Sequence, residues 1–98
     1  MEKNVIIKEQ FPLREYQYTD SEGQQHTVAT RGFVLADGLD SFYAEMKGDR
    51  ARNIGTLPID NFYRVSLELR SRSFKTTSGE TMWTTDIYIN NIKPIFTR

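Results

Sequence analysis

Between Leu69 and Lys75 the chain reads Leu-Arg-Ser-Arg-Ser-Phe-Lys, so that two guanidinium groups and an aromatic ring recur at every second residue and a lysine follows. In an extended chain residues two apart share a face, which puts Arg70, Arg72 and Phe74 on one side with Lys75 beside the ring. Guanidinium groups match phosphate oxygens in shape and charge. An exposed ring offers a surface on which a nucleobase can stack, each such contact contributing ~1–3 kcal/mol. The chemistry available here is the holding of a polyanion with unpaired bases. The bland alternative for Phe74 is that it folds back on a neighbouring loop or a subunit interface. Trp83, Tyr88, Tyr43 and Lys47 extend the candidate set. Trp83 shares parity with Ile87 and Ile89, which turns it toward the core. Tyr88, between Asp86 and Asn90 in parity, points outward, where stacking, cross-strand packing or a subunit contact are all open. Tyr43 and Lys47 also face outward, as ordinary solvated residues would. Tyr16, Tyr18 and Arg31 are weaker candidates, and His26 beside a turn reads as exposed.

Bond-breaking chemistry has no comparable set of residues. The 98 residues include no cysteine and one histidine, so neither a thiolate nor a histidine-based metal site is expected, and no cofactor motif is present. No phosphate-cradling glycine loop and no nucleophile elbow occurs. Asp49, Asp60 and Glu45 read as solvated surface charge. The expectation is a protein that is not an enzyme and needs no cofactor or metal.

The segments that must position these residues alternate with period two. From Val65 the apolar residues take odd positions (Val65, Leu67, Leu69) and the polar ones even positions, as a half-buried strand requires. After a polar turn with Gly79 at a position needing positive φ, the return strand places Trp83, Thr85, Ile87 and Ile89 on one face and Thr84, Asp86, Tyr88 and Asn90 on the other. Upstream, residues 5–18 predict one long strand, with Pro12 marking a bulge or edge because it lacks a ladder donor. Thr27 to Ala36 predicts a second strand, in which Gly32 signals a kink or a close approach by another group. Asp37-Gly38-Leu39-Asp40 is a hairpin turn. Ser41 to Lys47 predicts a third strand with Phe42, Ala44 and Met46 inward. Asp49 can cap a helix of at most two turns. Ile54, Leu57 and Ile59 would plug one end of a barrel, and Ile95 and Phe96 would dock after the last strand, where the chain is expected to fray.

Five strands in hairpin-rich order, with a short helical segment between strands 3 and 4, predict an all-β OB-fold, a five-stranded Greek-key barrel. An SH3-like barrel or a small sandwich fits the pattern alone. The stretch from Leu69 to Asp86, with its Leu-Arg-Ser-Arg-Ser-Phe, its Ser-Gly turn and its Trp-Thr-Thr-Asp, resembles without a gap the fourth-to-fifth-strand hairpin of the bacterial single-stranded DNA-binding protein family. That resemblance implies the OB-fold independently. It also implies that Phe74 falls on a base-stacking position, that Arg70 and Arg72 fall on the family's two arginines, and that the protein is a dimer or tetramer.

Several features depart from the family. The connection between the second and third strands, a long DNA-wrapping hairpin there, is cut to Asp37–Asp40. Ser41 and Lys47 stand near positions where the family places aromatics. The Gly/Pro-rich extension and acidic tip that recruit the family's partners have no counterpart in the sequence after Asn91. A smaller footprint and weaker binding are expected. Net charge is zero, but residues 61–98 carry six basic and three acidic side chains, so that half is +3 and the remainder −3. Local potential is set by neighbours within a Debye length of ~8–10 Å, so a basic patch can still steer a polyanion. The expected partner is single-stranded DNA, with RNA possible, in replication, repair or mobile-element transfer. The rival reading is an OB-fold protein-interaction module with lost or weak nucleic-acid binding. One domain spanning 1–98 is expected. MEKNVIIKEQ lacks the apolar stretch of a signal peptide and no apolar run approaches a membrane span, so a cytoplasmic location is expected.

Overall fold

A computed structural model describes residues 1–59 and 61–95. Its strands are β1 (Glu2–Gln10), β2 (Arg14–Thr19), β3 (Gln25–Ala36), β4 (Ser41–Lys47), β5 (Phe62–Lys75) and β6 (Thr81–Pro94), with a short helix α1 (Asp49–Asn53) between β4 and β5. The expected first strand is two segments. Pro12 has no N–H to donate, so the chain leaves the ladder at Phe11-Pro12-Leu13 and re-enters it as β2. The long β3 pairs with both halves, meeting Gln10 at Phe33 and Arg14 at Thr30. Counting β1 and β2 as one bent strand, the order β1-β5-β6-β4-β3, closed by β1 against β3, is the five-stranded OB-fold plan. All pairings are antiparallel except β4 with β6, which meet at the single parallel bridge Glu45↔Tyr88.

Alternation fills the barrel. Val5 and Ile7, Phe33 and Leu35, Ala44 and Met46, Val65 and Leu67, and Ile89 project inward and are buried together with Tyr63 and Ala51. Two irregularities bend the sheet round this core: a register shift between Ile7 and Glu9, and another between Ser66 and Leu67 that leaves Asn90 as the extra residue of β6. Phe42 is only half-buried and packs on the edge of the core.

The helix closes one end with fully buried Ala51, and partly buried Ile54 and Leu57 pack beside it. Asp49 does not cap it. Gly48, at φ 74°, takes the capping position, its carbonyl accepting from the Ala51 and Arg52 N–H groups, so Asp49 falls one residue late and its carboxylate accepts from Arg52 at 3.0 Å. Ile59 is 56% exposed and not part of the plug. Gln10 fastens the following loop, donating to the Gly55 carbonyl at 2.6 Å and accepting from the Leu57 N–H at 2.9 Å. At the turn 37–40, the Leu39 and Asp40 N–H groups and the Lys3 ammonium donate to the Asp37 carboxylate and hold it well below the usual carboxylate range. At the far end β6 runs through Pro94, longer than expected. The Ile95 N–H then donates to the Phe62 carbonyl, while Phe96 lies outside the described residues.

The barrel explains Gly32. A Cβ there would lie 2.7 and 2.8 Å from Tyr43 Cε2 and Cζ, so the close approach expected from sequence is the Tyr43 ring lying on the β3 backbone. Gly32→Ala is expected to swing that ring away, because the obstructing atoms are the far end of a movable side chain. The fold should survive, since a non-glycine residue gains ~0.5–1 kcal/mol of backbone preference in a strand. NMR is the check: the nuclear Overhauser contacts of Tyr43 with Phe11 should vanish while the melting temperature changes little, and their persistence would contradict the assignment.

Candidate nucleic-acid interface

The longest feature of the sheet is the β5–β6 arm, whose two strands pair from Tyr63↔Pro94 to Lys75↔Thr81. β1 accompanies β5 only through Ser66 in its ladder, with the Met1 amino group and carbonyl bonding Leu67 beyond it. On the other side β4 joins the β6 ladder at one residue, Tyr88. Past Leu69 and Ile87 the arm therefore stands clear of the barrel. Directly paired residues share a face, so Glu68, Arg70, Arg72 and Phe74 of β5 lie with Tyr88, Asp86, Thr84 and Met82 of β6. Lys75 has the opposite parity and shares the reverse face with Trp83.

Trp83 corrects the expectation of a core residue. It is 69% exposed, and Leu69, of the same parity, is 50% exposed. Both have inward parity on a part of the arm where no second layer packs. Phe74 near the tip is half-exposed, beside its cross-strand partner Met82.

The Glu45↔Tyr88 bridge carries the arm's outward face onto that of β4. There the structure brings together three residues read separately from the sequence: Lys47 Nζ lies 4.5 Å and the Arg70 guanidinium 5.7 Å from the Tyr88 ring centre. Cations at such distances are attracted to the ring face. These three, with Arg50, Glu68, Ile89 and Asn90, line an open cleft of about 410 Å³. Arg70 Nε donates to Glu68, which pushes the Glu68 carboxyl down and the guanidinium up, and Asn90 donates to the other Glu68 oxygen at 3.3 Å. Arg72 is 3.3 Å from Asp86.

Tyr43 adjoins that cluster, lining with Glu45, Asp86 and Tyr88 a hollow of about 180 Å³. Its ring covers Gly32, lies 6.0 Å from Phe11, and borders a smaller hollow of about 150 Å³ that Arg14, Thr30 and Glu45 also line. Partial burial raises the Tyr43 phenol, and the nearby Glu45 charge acts in the same direction.

Sequence reasoning missed two contributions to this face and gave too little weight to a third. Arg50, on α1, reaches the Tyr88 cleft although no local pattern announces it. The Phe11 ring and Arg14 frame Tyr43. The β2–β3 hairpin adds the third: Arg14↔Thr30 and Thr30↔Lys47 are in register, so Arg14, Tyr16 and Tyr18 have the parity of Lys47. Tyr16 and Tyr18 are about half-exposed. Their signal was available, since Arg-x-Tyr-x-Tyr repeats the spacing of Arg-x-Arg-x-Phe. His26 is half-exposed yet not isolated; it stacks on Tyr18 at 5.1 Å and meets Asp20 at 2.7 Å, which lowers the Asp20 carboxyl. Arg31 is structural, its Nε donating to the Ala51 carbonyl at 3.1 Å.

Among the described residues no group of three His, Cys, Asp or Glu side chains is placed to hold a metal ion, and no helix is long and apolar enough to cross a membrane. No protein-family model matches the sequence, and no curated protein matches it. Among solved structures the chain is similar to the solution NMR structure of the second OB-fold domain of replication protein A from Methanococcus maripaludis, with a TM-score of 0.60 and 16% identity over 99% of this chain and 84% of that one. At that identity the likeness establishes the fold, and the fold is the OB-fold.

Proposed function

We propose that the chain binds single-stranded DNA without sequence preference, as the bacterial single-stranded DNA-binding proteins its arm resembles do. The observation that carries this reading is the continuous outward face on which Lys47, Arg70 and Tyr88 meet in one cleft and Arg72 and Phe74 continue along the arm. Exposed rings interleaved with cations are what a flexible strand with accessible bases requires, and duplex DNA hides those bases. The similarity to a domain of a protein named for replication supports the same direction. Replication, repair or mobile-element transfer is the setting the resemblance implies, with self-association as a dimer or tetramer, and the cytoplasm is the location proposed for it. RNA shares the stacking and phosphate chemistry, and an oligo-U titration separates the two polymers. No catalysis and no cofactor enters this reading.

The test is fluorescence anisotropy of labelled oligo-dT at low and moderate salt, against a duplex of equal length. Saturable binding that exceeds duplex binding is expected, with the logarithm of affinity falling by about 0.7 for each phosphate neutralised per tenfold rise in salt. Phe74→Ala should fold normally and bind ~1–3 kcal/mol more weakly. Unchanged affinity in the folded variant would remove Phe74 from the interface.

A protein-interaction module is the second reading. The exposed Trp83 and Leu69 on the reverse face of the arm and the zero net charge favour it. Absence of oligonucleotide binding at tens of micromolar protein in low salt would select it.

A further inference from the structure

The cations of the outward face are not equivalent. Arg70 and Arg72 are each met by a carboxylate of the arm itself: Glu68, held also by Asn90, and Asp86 on the facing strand. Lys47 and Arg50, which line the same cleft as Arg70, have no ion pair among the described residues. Glu45, the third carboxylate of this face, lies beside Tyr43 and forms no ion pair among them. A phosphate approaching Arg70 or Arg72 must displace the carboxylate at Nε or bind the remaining guanidinium N–H groups beside its negative charge. One approaching Lys47 or Arg50 displaces no carboxylate, although Glu68 lines the same cleft.

We propose that Glu68 and Asp86 are anionic competitors built into the binding face, so that phosphate capture begins at Lys47 and Arg50 while Arg70 and Arg72 stay masked until a strand displaces their carboxylates. This rests on the single-strand reading above. Both arginine side chains are about 70% exposed and both carboxylates 38% exposed, so the pairs are solvated and weak enough to yield. The mask lowers affinity for any polyanion and favours one whose bases also reach Tyr88 or Phe74, because stacking supplies what the masked arginines withhold.

The consequence has an unusual sign: neutralising two side chains of the binding face strengthens binding. Glu68→Gln with Asp86→Asn keeps the shape and hydrogen-bonding reach of both residues and removes their charge. The double variant should bind labelled oligo-dT about three- to tenfold more tightly at low salt, the scale of two exposed ion pairs. Its log–log salt dependence should steepen by up to about 1.4, or ~0.7 for each arginine freed to neutralise a phosphate. In the wild type, Arg50→Ala should weaken binding more than Arg72→Ala.

Glu9→Gln with Glu22→Gln makes the same change in net charge at sites that form no ion pair among the described residues, and separates local unmasking from bulk charge. The mask is overturned if this control tightens binding as much as the arm variant. It is also overturned if the folded arm variant binds no better than a wild type that does bind, which leaves the single-strand reading standing. Binding by the arm variant alone would support both. If neither protein binds oligo-dT at low salt, the single-strand reading fails and takes this inference with it.

Discussion

Phe74→Ala combined with Tyr88→Ala should weaken single-strand binding by ~2–6 kcal/mol, enough to abolish it at micromolar protein, while the barrel stays folded. Each ring contributes ~1–3 kcal/mol if it stacks on a base. The two lie far apart, because Phe74 faces Met82 and Tyr88 is six residues further along β6, roughly 20 Å at about 3.3 Å per residue. Sites that distant with no shared partner add nearly independently. Phe74 is half-exposed and Tyr88 lies on the outer surface of the sheet, so neither truncation opens the core. The single variants show how the polymer lies on the face. Loss in Phe74→Ala alone places bases on the arm, whereas loss in Tyr88→Ala alone places them in the cleft beneath Lys47 and Arg70. Anisotropy titration measures all three, with circular dichroism confirming fold. A folded double variant with wild-type affinity would rule out base stacking on this face.

The sequence was informative wherever a property depends on residues two apart. Parity alone assigned Arg70, Arg72 and Phe74 to one side, and the ladder from Arg70↔Asp86 to Phe74↔Met82 matches that assignment. Gly32 likewise announced a close approach, though not that Tyr43 makes it. Parity names a face but does not say whether anything covers it, and for that reason Leu69 and Trp83 were misread as core. Where the barrel ends is decided by β1 leaving the ladder after Ser66 and by β4 meeting β6 at one residue pair, which are contacts between distant segments. The cleft has the same character. Lys47 meets Tyr88 only because a parallel bridge joins two strands with no local connection, and Arg50 enters because α1 follows β4 across a single glycine. Asp49 shows a finer limit: Gly48 at positive φ supplies the helix start by backbone geometry, so the residue type that ordinarily caps a helix stands one position too late.

The platform under the interface depends most on Phe33, and Phe33→Ala should destabilise the protein by ~3–5 kcal/mol. Phe33 is fully buried and sits where β3 is paired on both sides, with Gln10 of β1 across one edge and Ala44 of β4 across the other. Its cross-strand neighbour leaves little to fill the void, because Ala44 opposite is already small. A cavity that cannot collapse is the costly case. Domains of this size have total stabilities of ~5–15 kcal/mol, so the variant should lose a large part of its margin. With ~4–8 °C of melting temperature per kcal/mol, the shift should be plain in a thermal melt followed by circular dichroism. Leu39→Ala is the matched control, since Leu39 is 92% exposed and its truncation should fall within about 0.5 kcal/mol of wild type. Binding should fall with folding rather than independently, because β3 carries the backbone beneath Tyr43 and pairs with the strand that presents Lys47. At temperatures where Phe33→Ala remains folded, its affinity for oligo-dT should match wild type. A melting point within a few degrees of wild type would show that the barrel is not centred on this ring.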